Sequence, residues 1–255
     1  MPAAYDNYDY PAYWKGREYE HASEFMAIKE LLLKIPKVDR SIEIGAGFGR
    51  LLPSYQFRVK KIVLSDPSAK LISKAKRKYI KNKKVEFVQA SLSSLKNKKK
   101  AKSFDLCIMV RVLHHINDID KAFKDVSNLL KDKGYFILEF PNKNHLKASI
   151  KNILRGDFTY PISIFPIDLR SKKHIKNKTL PFVNYHPDQI YETLKENGFE
   201  IIETRSVSNI RSTFMKRLFP LSFLLDLEKL LQIPLSKINF GPSFFVLARK
   251  RDILQ

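Results

Sequence analysis

The stretch Ile42-Glu43-Ile44-Gly45-Ala46-Gly47-Phe48-Gly49-Arg50 decides the fold of this 255-residue chain. An apolar strand runs into a Gly-x-Gly-x-Gly turn, where missing Cβ atoms let the backbone turn sharply and approach a ligand closely. A helix that follows such a turn presents unpaired N–H groups to polar ligand atoms. Tight packing of the strand against the helix is the alternative use of such a turn. Asp66, 17 positions after Gly49, favours the ligand, because a carboxylate at the end of the next strand can bind a ribose diol.

Short apolar strands and helices alternate outward from this stretch. Strands are predicted at Ser41–Ile44, Val59–Leu64, Val85–Ala90, Phe104–Val110, Tyr135–Phe140, 199–207 and Ser243–Arg249. Helices are predicted at 21–34, from Ser68 to about Lys81, from about Asp118 to Leu130 with Gly134 closing it, at Pro187–Asn197, and as one or two helices over 214–233. The first five strands look buried on both faces. This pattern is typical of the α/β class with a doubly wound parallel sheet.

The domain organisation follows from the same alternation of strands and helices. We expect one domain over 1–255, in which residues 1–36 form an N-terminal cap and the first helix. After Asn144 the mixture of Lys, Pro and aromatic residues shows no clear period over a length that exceeds an ordinary loop. We therefore interpret 145–185 and 207–240 as lid or insert segments.

Charge is the outlier of the composition, with 47 Lys and Arg against 26 Asp and Glu and a net charge of +21. Such a field attracts nucleic acid, acidic ligands or anionic membranes. The excess is localised, because residues 58–102 hold 16 basic and 2 acidic side chains. Few aromatic residues interrupt this block, so it lacks the stacking platforms of single-strand binders. A solvated lysine-rich face is the favoured interpretation.

The remaining composition points to a globular protein in a reducing compartment. Cys107 is the single cysteine, so neither an internal disulfide nor a cysteine-based zinc cage is possible, and we expect no metal. The first residues lack the pattern of a secretory signal, and charges and prolines interrupt every apolar stretch before it reaches a membrane-spanning length. We expect a cytoplasmic protein.

Four segments together resemble class I S-adenosylmethionine-dependent methyltransferases, close to the small-molecule (type 11-like) subgroup. They are SIEIGAGFGR, VLSDPS, VEFVQASLSSL and FDLCIMVRVLHHINDIDKAFKDVSNLLKDKGYFILEFPN. The resemblance covers about residues 25–142 and resumes more weakly at 185–249. It implies a Rossmann-like sheet of seven strands in the order 3-2-1-4-5-7-6, with the last strand antiparallel, and a helical lid insertion.

The resemblance also implies a site for S-adenosyl-L-methionine. It places Glu43, Gly45, Ala46, Gly47 and Gly49 around the methionine part and Asp66 on the ribose, with the adenine near Pro67, Ser91 and Leu92. Ser91 stands where many relatives have Asp. Arg111 and Val112, after the fourth strand, would face the sulfonium. Arg17 is a candidate partner for the cofactor carboxylate.

Aromatic residues crowd the N-terminus beside Arg17. Tyr13 and Trp14 are candidates to cover the site, because aromatic faces suit a methylsulfonium cation. The alternative is that the cluster pins a short helix to the core. This cluster consists of Tyr5, Tyr8, Tyr10, Tyr13 and Trp14.

Three histidines are candidate general bases for an alcohol, phenol or acidic carbon. His114 and His115 follow the fourth strand, at the edge of the sheet where ligands bind. His186 precedes a predicted helix. Helix capping and packing are the alternatives for all three. We expect methyl transfer to an oxygen or carbon of a small molecule.

Three other functions stay open at this stage. The basic block 58–102 allows an RNA substrate, although the Asn/Asp-Pro-Pro-aromatic motif of amino-methylating nucleic-acid enzymes is absent after the fourth strand. An apolar face with basic residues just before it allows a lipid or quinone-like substrate at a membrane surface; it comprises Leu221, Leu224, Leu225, Leu227, Leu230 and Leu231. The glycine-rich turn also occurs in NAD-dependent oxidoreductases, which favour the spacing GxGxxG.

Overall fold

A seven-stranded sheet runs through the computed structural model, which describes residues 9–95, 97–177 and 179–252. The strands are β1 (Val38–Ile44), β2 (Val59–Asp66), β3 (Val85–Gln89), β4 (Phe104–Met109), β5 (Leu130–Pro141), β6 (Ile167–Asp168), β7 (Val183–Asn184), β8 (Phe199–Val207) and β9 (Ser243–Lys250). Their order in the sheet is β3-β2-β1-β4-β5-β9-β8, and β6 and β7 form a separate pair. Neighbours from β3 to β5 are parallel, whereas β9 is antiparallel to β5 and β8. Because β6 and β7 lie outside this sheet, β8 and β9 are its sixth and seventh strands, and the predicted order 3-2-1-4-5-7-6 is confirmed.

Helices cover both faces of this sheet. They are α1 (Tyr10–Tyr13), α2 (Glu18–Leu32), α3 (Leu52–Tyr55), α4 (Ala69–Lys78), α5 (Leu92–Leu95), α6 (Ile119–Leu129), α7 (Leu146–Ile153), α8 (Lys172–Lys176), α9 (Pro187–Glu196), α10 (Thr213–Leu218) and α11 (Leu221–Ser236). Ser68 and Asp118 cap α4 and α6 by accepting from backbone N–H groups three residues later. Within the described ranges, no helix combines the length and apolar character needed to cross a bilayer.

The core lies on both sides of the sheet, which explains the continuous apolar strands. In β4, Leu106 and Ile108 belong to one buried cluster, and Cys107 and Met109 belong to the other. Successive side chains of a strand point to opposite faces, so a strand covered on both faces must be apolar throughout. Cys107 is fully buried, and burial raises the pKa of its thiol. It therefore packs as a small apolar side chain.

The predicted helix closure at Gly134 is wrong. Helix α6 ends at Leu129, and Gly134 lies inside β5, after a segment that interrupts the pairing with β4. A Cβ on Gly134 would stand 2.8 Å from the carbonyl oxygen of Lys131. The glycine is therefore required by a tight backbone approach within the strand.

The insert 145–185 contains regular structure that its sequence did not reveal. It holds α7, α8 and the antiparallel pair of β6 and β7. Lys143 and Asn144, at the end of β5, donate hydrogen bonds to the carbonyl oxygens of Ser163 and Pro161, at 2.6 and 2.7 Å. These contacts to backbone atoms leave little trace in the side-chain pattern.

The apolar segment predicted over 214–233 forms α10 and α11, and α11 packs on α2 and β8. A buried carboxylate, Glu228, holds α11 in place. It accepts from the hydroxyl of Tyr19 at 2.5 Å and from the backbone N–H groups of Ser208 and Asn209 at 2.8 and 3.1 Å. Leu224 is buried beside Tyr19. The C-terminal helix is thereby joined to the N-terminal one.

Glu228→Gln should lower the free energy of unfolding by about 1–3 kcal/mol, because the amide nitrogen cannot accept and leaves at least one buried donor unpaired. Urea denaturation followed by circular dichroism measures this. Asp226→Asn, at an exposed position of the same helix, is the matched control and should stay within about 0.5 kcal/mol of the parent. Equal stability of the two variants would contradict the role given to Glu228.

Candidate active site

A cavity of about 540 Å³ opens at the carboxyl ends of β1, β2 and β4. Its volume is typical of small-ligand pockets. Many of the residues predicted for the site line it, namely Gly45, Gly47, Asp66, Pro67, Ser91, Leu92, Arg111 and His115. The structure thus brings together residues from the first, second, third and fourth strand ends.

The glycine-rich turn after β1 forms one wall of the cavity. Gly45 and Gly47 have φ angles of +69° and +56°, in the left-handed region that glycine adopts readily. A Cβ on Gly45 would stand 2.2 Å from a methyl group of Val112. Backbone strain and close packing both explain glycine at this position.

Asp66 connects this turn to the end of β2. Its carboxylate is buried and accepts from the N–H of Gly47 at 2.9 Å and from the N–H of Ser68 at 2.8 Å. One oxygen is used for each contact. These contacts orient the Asp66 carboxylate at the wall of the cavity that it lines.

Three residues predicted for the cofactor lie in the supporting structure behind the turn. Glu43 is buried and accepts from the hydroxyl of Tyr55 at 2.5 Å; burial raises the pKa of Glu43 to about 7. Gly49 packs on Tyr79, whose hydroxyl donates to the Gly49 carbonyl at 2.8 Å. Ala46 is buried and donates its N–H to the Ser65 carbonyl at 2.9 Å. Their predicted roles stay predictions.

Pro67, Ser91 and Leu92 form the wall predicted for adenine. The hydroxyl of Ser91 lies 3.1 Å from those of both Ser93 and Ser94. Together the three hydroxyl groups form a small polar cluster. It offers both donors and acceptors to a ligand.

The N-terminal helix α1 contributes Tyr10, which the sequence marks only as a member of the aromatic cluster. Tyr10 lines the cavity, and its ring stacks on that of Tyr13 with centroids 6.1 Å apart. Arg17 is exposed, with its guanidinium 4.2 Å from the Tyr13 ring centroid. Tyr5 and Tyr8 lie outside the described residues. Tyr13 contacts Tyr10, and Arg17 contacts Tyr13, so both lie behind the residue that lines the cavity. The predicted contacts of Tyr13 and Arg17 with the cofactor stay predictions.

A buried ion cluster that the sequence did not reveal lies beside this cap. The carboxylate of Glu24 is fully buried and binds Arg50 at 2.5 Å through one oxygen and Arg111 at 2.5 Å through the other. Burial by itself would raise the pKa of Glu24, but the two guanidinium groups hold it below its usual range. Both guanidinium carbons also lie over the Trp14 ring, 3.5 and 4.8 Å from its centroid. The cluster anchors α1 to the sheet edge.

Arg111 is also held through its backbone. Its φ angle is +58°, which is rare for a residue with a side chain. Its N–H donates to the buried carboxylate of Glu139 at 2.7 Å, and Ser243 donates to the other oxygen of Glu139 at 2.7 Å. A strained backbone position held by buried groups beside a cavity is typical of a functional site.

The three candidate histidines occupy different environments. His115 lines the cavity, and its Nδ1 lies 2.7 Å from the carbonyl oxygen of Pro181. His114 is buried, with its ring 3.9 Å from that of His115 and 4.9 Å from that of Phe182. His186 caps α9 by accepting from the N–H of Asp188 at 3.2 Å. Among the three, His115 has the position of a reacting group.

Solved structures share this architecture. A putative S-adenosylmethionine-dependent methyltransferase from Listeria monocytogenes aligns with a TM-score of 0.64 at 16% identity, over 92% of this chain and 99% of that one. N-methyltransferase NodS from Bradyrhizobium japonicum, in complex with S-adenosyl-L-homocysteine, aligns with a TM-score of 0.61 at 12% identity, over 97% and 95% of the two chains. At these identities the likeness concerns the fold.

A sequence match over part of the chain agrees with the fold. Residues 42–138 match the family described as methyltransferase domain. The chain carries a class I S-adenosylmethionine-dependent methyltransferase domain. This methyltransferase is also 29% identical, over 206 residues, to the ubiquinone biosynthesis O-methyltransferase of Pelagibacter ubique, a match that covers 72% of this chain and 81% of the relative.

The residues at the cavity fit S-adenosylmethionine, the cofactor of this methyltransferase. Gly45 and Gly47 keep side chains out of the wall next to Asp66. The lining contains three carboxylates, of Asp66, Asp118 and Asp125, and two cations, Arg111 and Lys121. We expect Asp66 to hold the ribose, and Pro67 and Leu92 to contact the adenine.

Asp66→Asn should weaken the binding of S-adenosylhomocysteine by about 1–3 kcal/mol. The substitution removes the negative charge, and the amide NH₂ of asparagine would face the N–H of Gly47 or Ser68, which needs an acceptor. Isothermal titration calorimetry measures the affinity, and thermal melting checks that the variant is folded. Asp39→Asn, at an exposed position near the start of β1, is the control and should bind normally. A folded Asp66→Asn protein with the parent's affinity would show that the ribose lies elsewhere.

Proposed function

We propose that this methyltransferase methylates a hydroxyl group of a small molecule and that His115 removes the proton from that hydroxyl. An acidic carbon is the second acceptor that such a base can serve. The position of His115 carries the proposal, because it lines the cavity and its Nδ1 contacts the Pro181 carbonyl oxygen. The name of the Pelagibacter relative, an O-methyltransferase, also favours oxygen.

The contact with Pro181 determines which nitrogen of His115 is basic. A carbonyl oxygen accepts hydrogen bonds and cannot donate one, so Nδ1 must carry the proton. In the neutral ring the basic lone pair is then on Nε2. Burial lowers the pKa of His115, although the Pro181 contact partly opposes this. The ring is therefore neutral at pH 7, as a general base must be.

His114 and His186 are less suited to this role. Burial, together with His115 and Arg111, lowers the pKa of His114 to about 2, so its ring stays neutral and packs against Phe182. In His186, Nδ1 accepts from Asp188, and Nε2 lies 3.2 Å from the Pro161 carbonyl oxygen. Both nitrogens of His186 thus serve the structure of the insert and of α9.

When bound, S-adenosylmethionine supplies a methyl group on a positively charged sulfur, which leaves readily in an in-line displacement. The protein's contribution is then alignment, exclusion of water and removal of the acceptor proton. Tyr10 closes one side of the cavity, and Asp66 and the glycine turn fix the cofactor end. We infer that the insert forms the acceptor side, because Leu180 lines the cavity next to Pro181.

The cavity wall favours a small molecule over RNA. The basic block 58–102 contributes Asp66, Pro67, Leu71 and residues 90–93 to the lining, which are acidic, apolar or hydroxyl side chains. Most of its described lysines belong to β2, α4 and the turn before β3, and none of the described ones lines the cavity. Phosphate contacts would therefore form away from the reacting groups, which supports the interpretation of this block as a solvated face.

His115→Asn should lower kcat about 10²- to 10⁴-fold, the usual contribution of a general base, while the affinity for S-adenosylhomocysteine changes much less. The asparagine amide can still donate to the Pro181 carbonyl. Transfer of labelled methyl from S-adenosylmethionine to a panel of catechols and other phenols measures the rate. His174→Asn, at an exposed position of the insert, is the matched control. Parent-like activity of His115→Asn, or labelling of amines alone, would refute the proposal.

The pH dependence offers a separate check. Because the pKa of His115 is lowered from 6.5, the base stays active as the pH falls to 6.5 and is lost only below that value. We expect kcat/KM to be constant above pH 6.5 and to fall about tenfold per unit below the lowered pKa. The low-pH decline should disappear in His115→Asn. A decline that begins above pH 7 would point to another base.

A further inference from the structure

The surface of the insert carries apolar side chains that the protein itself leaves exposed. We propose that α7, residues 154–165 and α10 form a surface that docks on an anionic lipid bilayer, here called the docking surface. It differs from the leucine face predicted on 221–231, of which Leu224 is buried and Leu225 and Leu227 pack beside it, although Leu221 and Leu230 are exposed. The docking surface instead combines two short helices with the loop between α7 and β6.

Helix α7 presents an apolar face without a protein partner that buries it. Every residue of α7 is at least partly exposed. Leu146, Ile150 and Ile153 recur at the spacing of one helix face, and 44, 47 and 37% of their surfaces are accessible. A helix of this kind is suited to lie along an interface.

The loop after α7 is more exposed still. Leu154, Phe158, Ile162 and Phe165 are 82, 73, 77 and 76% accessible. Single exposed apolar residues are common on proteins, but four large ones within twelve residues form a concentration that marks an interaction surface.

Helix α10 adds a second edge to this surface. Phe214 and Leu218 are 70 and 59% accessible, and the helix contains no fully buried residue in its described span. Leu146, the first residue of α7, donates its N–H to the Phe240 carbonyl at 3.1 Å, and Ser206, at the end of β8, accepts from the N–H of Gly241 at 2.9 Å. The beginning of α7 and the segment that leads into α10 therefore meet at residues 240–241.

The charges next to these side chains identify the partner. Lys147, Lys151 and Arg155 alternate with the apolar residues of α7, and Arg211 and Arg217 flank those of α10; all five are exposed. Asp157 is the single acidic residue of 144–167, and 211–225 contain none. Anionic headgroups above an apolar layer match this arrangement of cations around apolar side chains. A second copy of the chain would place like charges against each other, and RNA offers little to aliphatic residues such as Leu154 and Ile162.

The same insert reaches the cavity, which suggests what the bilayer supplies. Leu180 lines the cavity, Pro181 contacts His115 and Phe182 packs on His114. An acceptor with a hydroxylated head and a lipophilic body would enter from the bilayer along this segment. This last step rests on the proposed function, whereas docking itself does not.

Co-sedimentation with vesicles tests the docking without cofactor or acceptor. We expect the protein to bind vesicles of 30% phosphatidylglycerol in phosphatidylcholine, and to bind pure phosphatidylcholine at least tenfold more weakly. Lys147→Glu/Lys151→Glu/Arg155→Glu should reduce the partition coefficient roughly a hundredfold, given the contribution of each cation near an anionic surface. Phe158→Ser/Phe165→Ser should reduce it at least tenfold while preserving the thermal melting temperature.

The matched control makes the same change of charge on a different part of the surface, at α4 and the turn after it. Lys76→Glu/Arg77→Glu/Lys83→Glu alters exposed residues on α4 and the turn after it, and should change vesicle binding less than threefold. The proposal is overturned if the parent does not bind the anionic vesicles or if this control loses binding as strongly as the insert variant. A dimer that Phe158→Ser/Phe165→Ser converts to a monomer would assign the surface to self-association instead. Methylation of a soluble catechol by Phe158→Ser/Phe165→Ser should persist, which separates a failure of docking from a failure of the proposed chemistry.

Discussion

The carboxylate of Asp66 holds together two turns that line the cavity. It accepts from Gly47 after β1 and from Ser68 before α4, so the glycine turn cannot move independently of the second strand. The parallel register places Ile44 beside Ser65, which brings both turns to one edge of the sheet. A carboxylate satisfied by two backbone donors costs little to bury and keeps a defined orientation. The cavity shape follows from this contact.

Buried carboxylates also fix the parts that surround the cavity. Glu24 joins the N-terminal helices to Arg50 and Arg111, Glu139 holds the backbone of Arg111, and Glu228 ties α11 to Tyr19. Each is satisfied by donors from distant segments; Tyr19 and Glu228 are 209 positions apart. Unpaired, each would carry a large desolvation penalty, so these contacts select one arrangement of the elements. They give the cap and the C-terminal helices a defined position relative to the sheet.

Local patterns predicted the sheet well because each strand is a short apolar run bounded by turn residues. The positions of Asp66, Gly45 and His115 at the strand ends followed from the same patterns. Patterning could not separate the roles of neighbouring residues. Gly49 has a left-handed φ of +72° and also packs on Tyr79, whereas Gly134 serves a backbone approach inside β5, although both look like ordinary turn glycines in sequence. Tyr10, rather than Tyr13, reaches the cavity, since the orientation of a four-residue helix depends on what it packs against.

The sequence by itself determined the class of fold, the strand order through its resemblance, and the edge of the sheet where the cavity opens, because hydrophobic period and glycine spacing are local properties. Only the tertiary structure decided that Pro181 fixes the tautomer of His115, that Glu24 lies between two arginines, and that the insert exposes its apolar residues. These features depend on contacts between segments far apart in the chain. The residue type alone does not show whether a leucine is exposed or buried, because its burial depends on the elements that pack against it.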